Sequence, residues 1–165
     1  THTQPGDEII AEEQSHLYVY EGGGYAALSG CSIGLVPGHH GLVHPEEVKK
    51  RIRKAEGSRS HFPNVSLICL ENTSNRGGGT CYTLDTLNEI GKIAREHDCR
   101  MHLDGARLFN AVVATGNRAS ELVAMFDSVS VCLSKGLGAP VGRVVVGSRT
   151  FSDQAHRWRK MFGGE

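Results

Sequence analysis

The sequence predicts an α/β domain, a mainly parallel sheet flanked by helices. Three observations carry that expectation. Short runs rich in Val, Ile and Leu, such as "VSLICLEN" and "GRVVVGS", read as the strands of a parallel-sheet domain. Stretches of helical periodicity lie between these runs, the order of a sheet whose parallel strands are joined by helical crossovers. Glycine, with 21 residues, gathers at "GGG" twice and around Lys135, where the chain must turn tightly or approach a ligand closely.

The elements follow in chain order. "DEIIAEE" is a first short strand. "HPEEVKKRIRKA" sets Val48, Ile52 and Ala55 on one helical face, with Pro45 suited to a first turn and acids behind it, so a surface helix is expected. Val65 to Asn72 forms a buried strand. "TLDTLNEIGKIAREHDC" then repeats Leu84, Leu87, Ile90 and Ile93/Ala94 along a helix face. "CRMHLDGA" is the next strand, and "LFNAVVATG" a short helix closed by Gly116. "DSVSVCLS" and "GRVVVGS" are strands on either side of a glycine turn, and "SDQAHRWRKMF" is a basic helix. No internal repeat or low-complexity linker interrupts the series.

A chain of 165 residues suits one domain with a continuous core. Its 18 Lys+Arg balance 18 Asp+Glu, and no run of like charge is long enough for a nucleic-acid groove or an anionic membrane surface. No apolar run approaches the roughly 20 residues of a membrane span, and "THTQPGDEII" lacks the basic and apolar regions of a signal peptide. The expected partners are therefore small molecules or copies of the chain itself. Cys31, Cys69, Cys81, Cys99 and Cys132 are odd in number and contain no CxxC pair, which suits reduced thiols in a cytoplasmic setting.

Lys135 and Asp104 both stand at the carboxyl ends of expected strands, where open α/β sheets bind ligands. A lysine there has a chemical use, because its neutral amine can form a Schiff base with an aldehyde cofactor. For pyridoxal phosphate the matching group is a carboxylate beside the pyridine nitrogen, a place Asp104 can fill. An ion pair is the plain alternative for both residues. Arg107 reads on its own as a cation at a helix start. His39, His40 and His44 read as loop or cap residues, since no partner stands at zinc-ligand spacing.

The motifs "SHLYVYEGG", "LENTSNRGGG", "HLDGARLFNA" and "CLSKGLGAPVG", in this order, resemble the low-specificity threonine aldolases. That family consists of pyridoxal-phosphate enzymes of fold type I, and the likeness runs over nearly the whole chain. It implies the aspartate aminotransferase-like large domain, with pyridoxal 5'-phosphate as cofactor and a small 3-hydroxy amino acid as substrate. The implied reaction is retro-aldol cleavage of L-threonine or L-allo-threonine to glycine and acetaldehyde. By the same resemblance Lys135 holds the cofactor, Asp104 partners the pyridine nitrogen and Arg107 takes the substrate carboxylate. His16 stacks on the cofactor ring, and His61 lies near the substrate hydroxyl; either histidine can be the base. Ser134 assists the phosphate or simply ends a strand. Ser74 stands where the family commonly has histidine.

The family's members are longer. Residues 1–165 are thus expected to form a partial cofactor-binding large domain, without the upstream phosphate-loop region and the downstream small domain. In that family the full protein is a homodimer or homotetramer. Two hypotheses follow: part of an active aldolase, or a truncated relic without turnover. A different fold type I lyase or aminotransferase is the runner-up.

Overall fold

The computed structural model of the chain describes residues 1–164. In chain order it begins with β1 (Glu8–Glu12), the single-turn helices α1 (His16–Val19) and α2 (Gly24–Ala27), and β2 (Ser32–Val36). The hairpin β3 (Gly38–His39) and β4 (Leu42–Val43), the helix α3 (Pro45–Arg51), β5 (Val65–Glu71) and α4 (Leu84–Glu96) come next. The rest is β6 (Arg100–Asp104), α5 (Leu108–Thr115), α6 (Ala119–Leu122), β7 (Ser128–Cys132), β8 (Arg143–Gly147) and α7 (Arg149–Met161).

Six strands form one sheet in the order β2-β1-β5-β6-β7-β8. All neighbours are parallel except β7 and β8, so the sheet is mainly parallel as the sequence predicts. From β1 the chain steps one way to β2, then returns past β1 to β5 and continues the other way. The sheet's topological switch point is therefore between β1 and β5, where the loops at their carboxyl ends part and leave a crevice.

The two faces are filled differently. Ile10, Ile68, Leu70, Met101, Leu103 and Val129 join Val48 of α3, Leu87, Ile90 and Ala94 of α4, Leu108 and Ala111 of α5 and Leu122 of α6 in the main core. Leu87 and Ile90, both almost wholly buried, are worth about 1.5–3 kcal/mol each by area removed from water. On the other face Ile9, Leu67, Cys69 and Cys31 form a smaller cluster beneath Leu17 and Tyr25 of the α1–α2 segment. The stripes that the sequence shows on α4 are thus the cause of the larger core. That helix starts where Thr83 Oγ1 accepts from Thr86 N at 3.2 Å.

Several expectations need correction. The helix at 45–51 stops before Ile52, which is extended, so Ile52 and Ala55 leave its apolar face. The extended backbone sends Arg51 and Arg53 to the same side, and both guanidinium groups donate to Glu8 Oε1 at 2.8 Å. β2, "SIGLV", escapes sequence reading because Gly34 breaks its strand character. The glycine leaves room for Arg51: a Cβ would come within 2.7 Å of the guanidinium carbon, which would have to move aside. Gly116 does close α5 in the left-handed conformation, at φ 72°. His44 caps α3, its Nδ1 accepting from Glu46 N at 3.4 Å.

Candidate functional site at the carboxyl edge of the sheet

Parallel strands collect their carboxyl ends on one edge, and with them the residues that follow. β1 leads into His16, β5 ends on Glu71, β6 ends on Asp104, and β7 runs into the turn that holds Lys135. Register places Glu71 beside Asp104 and Asp104 beside Ser130, so these side chains share the face that carries the smaller apolar cluster.

Asp104 is held by its surroundings. Its Oδ1 accepts from Ala106 N at 3.1 Å and its carbonyl accepts from Asn72 N at 3.0 Å. Among the described residues Oδ2 has no protein partner. Gly105 N donates to Ser130 O at 2.8 Å, which draws the turn after β6 onto β7. Arg107 is the residue before α5, half-buried, and forms no ion pair among the described residues.

Lys135 sits in the β7–β8 turn. Leu133 N donates to Gly142 O at 2.9 Å, Ala139 N to Leu133 O at 3.0 Å and Gly138 N to Lys135 O at 3.0 Å. Gly138 has φ 71°, so this turn depends on glycine. A side chain at Gly136 would run into Asn110 of α5, and the close approach brings Lys135 toward the helix that Arg107 begins. Lys135 is half-buried and has no ion-pair partner among the described residues. Ser134 beside it is exposed and makes no hydrogen bond among the described residues.

His16 completes the set from the opposite side of the switch point. Its backbone N donates to Glu71 Oε2 at 3.1 Å, and its Nε2 lies 3.4 Å from Glu21 Oε1. Lys135, Asp104, Arg107 and His16 therefore share one edge. His61 does not join them. It precedes β5, at the amino end of a seven-residue strand, and is stacked edge-on against Phe62. At about 3.3 Å per residue, that strand separates His61 from the carboxyl edge by more than about 20 Å. Within one chain the expected place of His61 is corrected for this reason: the strand runs away from it toward the site.

The electrostatics beneath the edge are those of a dry face. Burial, with Asp104 as a smaller cause, pushes the Cys69 thiol up to about 12. His102, two residues before Asp104 on the same face, is pushed down to about 4 by burial, which outweighs the opposing pull of Asp104. It is therefore neutral at pH 7, its Nδ1 paired with Ser128 Oγ at 2.7 Å. Ser15 and Asn72, the polar residues beside His16 and Glu71, are buried with side-chain atoms that have no partner among the described residues. Clefts of about 800 and 580 Å³ lie elsewhere, beside α7 and beside the β3–β4 hairpin.

Sequence reasoning missed two residues of this edge. Arg143, directly across from Cys132, is held further toward its charged form chiefly by Cys132 and also by Asp104 and Glu21. Its only signal was a cation placed just after the glycine turn. Glu71 had a better one, an acid closing an otherwise apolar buried run. Among the described residues no three His, Cys, Asp or Glu side chains cluster as a metal site, and no helix is long and apolar enough to cross a membrane. All five cysteines are free.

A parallel α/β sheet with lysine, carboxylate, imidazole and guanidinium along its carboxyl edge defines the large-domain class of fold type I. The chain belongs to the beta-eliminating lyase family, which it matches over residues 1–165. It is 44% identical over 160 residues to low-specificity L-threonine aldolase 1 of Arabidopsis thaliana, covering 96% of this chain and 44% of that protein. It is 40% identical over 164 residues to the low specificity L-threonine aldolase of Escherichia coli strain K12, covering 99% of this chain and 48% of that one. The solved threonine aldolase of Leishmania major superposes with a TM-score of 0.84 at 23% identity, over 98% of this chain and 46% of that chain, and so shares the fold. The chain spans about half the length of the curated relatives it matches.

Proposed function

We propose that this chain is the cofactor-binding core of a pyridoxal-phosphate-dependent aldolase. The intact protein cleaves L-threonine or L-allo-threonine to glycine and acetaldehyde. One observation carries the reading: Lys135 and Arg107 are unpaired and Asp104 is half-unpaired at one edge of the described structure, in a chain 44% and 40% identical to two relatives named threonine aldolases. Charged groups held on a partly dry face without partners cost free energy unless a ligand takes them up, and they concentrate at functional sites.

The residues fit the group. A primary amine is available for the cofactor's aldehyde, the free oxygen of Asp104 for a pyridinium N–H, and the imidazole of His16 for a ring face. When bound, pyridoxal phosphate supplies an electron sink for the pair released as the Cα–Cβ bond of the substrate breaks. The other work belongs to the chain. Arg107 binds the substrate carboxylate through two parallel hydrogen bonds, fixing which bond is presented for cleavage. Asp104 would act on the ring nitrogen electrostatically, an effect that is larger on a partly dry face than in solution. His16 takes the proton from the β-hydroxyl as the bond breaks, which leaves acetaldehyde, and glycine gains a proton at Cα in exchange. Ser134, exposed beside Lys135, would donate to the phosphate. No role is given to His61 within its own chain. Self-association as a homodimer or homotetramer and a cytoplasmic setting belong to the same reading, which sedimentation and fractionation test.

The deciding experiment adds pyridoxal phosphate, reduces with borohydride and maps the labelled peptide, while a coupled assay follows acetaldehyde from both substrates in the intact protein. A label on Lys135, with turnover lost in Lys135→Ala, is expected. A label elsewhere, or turnover that survives the substitution, overturns the assignment.

A further inference from the structure

His16 rests on a helix that cannot hold itself. The four residues of α1 make a single turn with no side-chain cap and no buried residue, far below the length at which a helix is stable alone. Yet the His16 ring must keep one plane if it is to face a ligand, and this requires support from outside the turn.

That support forms a closed circuit. Glu71, 9% exposed at the end of β5, accepts from His16 N through Oε2 at 3.1 Å and from Asn75 N through Oε1 at 3.0 Å. Arg76, the next residue, donates from Nη1 to the Tyr20 hydroxyl at 2.6 Å, with its guanidinium carbon 5.9 Å from the ring centre. Tyr20 in turn packs against the His16 ring at 5.1 Å and a tilt of 38°. The chain of contacts thus runs from Glu71 through His16, Tyr20, Arg76 and Asn75 back to Glu71. It ties the loop after β1 to the loop after β5 across the topological switch point.

Each link supplies something the other lacks. The bond from Glu71 fixes the backbone of His16 but leaves its two side-chain torsions free. Tyr20 limits those torsions together with Glu21, whose Oε1 lies 3.4 Å from His16 Nε2, and Arg76 holds Tyr20. The Glu71 carboxylate makes no ion pair among the described residues, so its charge is spent on two backbone donors. We infer that Glu71 and the Arg76–Tyr20 pair are positioning groups that fix the plane of the His16 imidazole above the edge where Lys135 and Asp104 stand. The catalytic meaning of that plane rests on the proposed function; the clasp itself does not.

The test therefore begins without cofactor. Arg76→Ala and Tyr20→Phe alter exposed side chains and leave the fold intact, and Glu71→Gln removes the charge while keeping the shape. In NMR spectra the His16 ring protons, shifted by the Tyr20 ring, are expected to move toward the signals of exposed His156 in all three variants. Amide exchange at His16 and Asn75 is expected to speed up about tenfold in Glu71→Gln alone. His16 ring signals that stay in place in Arg76→Ala and Tyr20→Phe overturn the inference.

A second arm uses the loaded, intact protein. Arg76→Ala is expected to lower kcat with little change in KM, and to cost nothing more once His16→Ala is present. An equal loss in both backgrounds means that Arg76 acts elsewhere, and the inference falls while the function stands. Full turnover in His16→Ala removes the histidine from the proposed mechanism, and the ring signals still decide whether the clasp exists.

Discussion

The two edges of this sheet carry the same kinds of side chain and use them in opposite ways. At the amino edge the prominent charges are paired with one another, although Glu8 Oε2 and Arg53 Nε are buried with no partner among the described residues. Glu8, 2% exposed, accepts from Arg51 and Arg53. Asp127 accepts from Arg100 Nη1 at 3.0 Å and Met101 N at 2.8 Å, and Ser128 joins His2 to His102. At the carboxyl edge Lys135, Arg107 and one oxygen of Asp104 have no partner among the described residues. The difference shows that residue type does not separate structural charge from functional charge. Counter-charge does: the amino-edge groups pair with one another, whereas Lys135 and Arg107 have no ion-pair partner among the described residues, which the proposed function reads as room for a ligand.

The largest expected effect tests the unpaired edge. Lys135→Ala should abolish the visible absorbance of bound pyridoxal phosphate and its fixation by borohydride, with the melting temperature unchanged. Asp104→Asn should keep the covalent capture but slow turnover by about 10²- to 10³-fold, because the charge is lost and the shape retained. A fall in stability matching either loss of function would place these residues with the structural charges and break the comparison.

The next effect concerns the boundary between the edges. His102 has a folded-state value near 4 against an ordinary value of 6.5, because burial disfavours its charged form. Between those values the unfolded chain binds more protons than the folded one, so stability rises with pH. The contribution is fully present above pH 6.5 and is lost as pH falls toward 4, in total up to about 3 kcal/mol. Denaturant melts of the wild type and His102→Gln over that range check it. The variant's curve should be flatter, and parallel curves would mean that another group sets the acid limit.

Glu8→Gln should follow at about 2 kcal/mol. It leaves two guanidinium groups facing a buried neutral amide, but both arginines are partly exposed and recover some hydration. Pyridoxal phosphate binding should be unchanged, measured on the same sample. Weakened binding would mean that the amino edge also acts on the ligand.

How much of this was legible in sequence differs by edge too. Periodicity reveals α4 because its apolar residues serve one core, β5 stands out as a continuous apolar run because it is buried on both faces, and motif likeness points to Lys135, Asp104, Arg107 and His16. Pairing is what sequence hides. Glu8 and Arg51 are 43 residues apart in sequence and meet only because β1 lies beside α3's end. Glu71 reaches back 55 residues to hold His16. Arg143 becomes a neighbour of Asp104 only through the antiparallel return of β8 onto β7. β2 was missed for a local reason, the glycine that makes room for Arg51.

The smallest expected effect falls on His61, which the motifs group with His16 and the fold separates from it. The residue is exposed and touches Phe62, over which Arg53 also lies at 5.5 Å. Substitution with alanine removes one edge-on aromatic contact at the surface, so stability should change by no more than about 0.5 kcal/mol. Covalent capture of pyridoxal phosphate by Lys135 should be equal in His61→Ala and wild type, because the strand between them keeps the imidazole far from the carboxyl edge. Mixing decides the remaining question. If His61→Ala lowers turnover in the intact protein, adding a Lys135→Ala chain, inactive alone but with His61 intact, should restore part of it when the imidazole serves a neighbouring copy's site. Loss of turnover without rescue would place His61 at its own chain's site and contradict the geometry of β5.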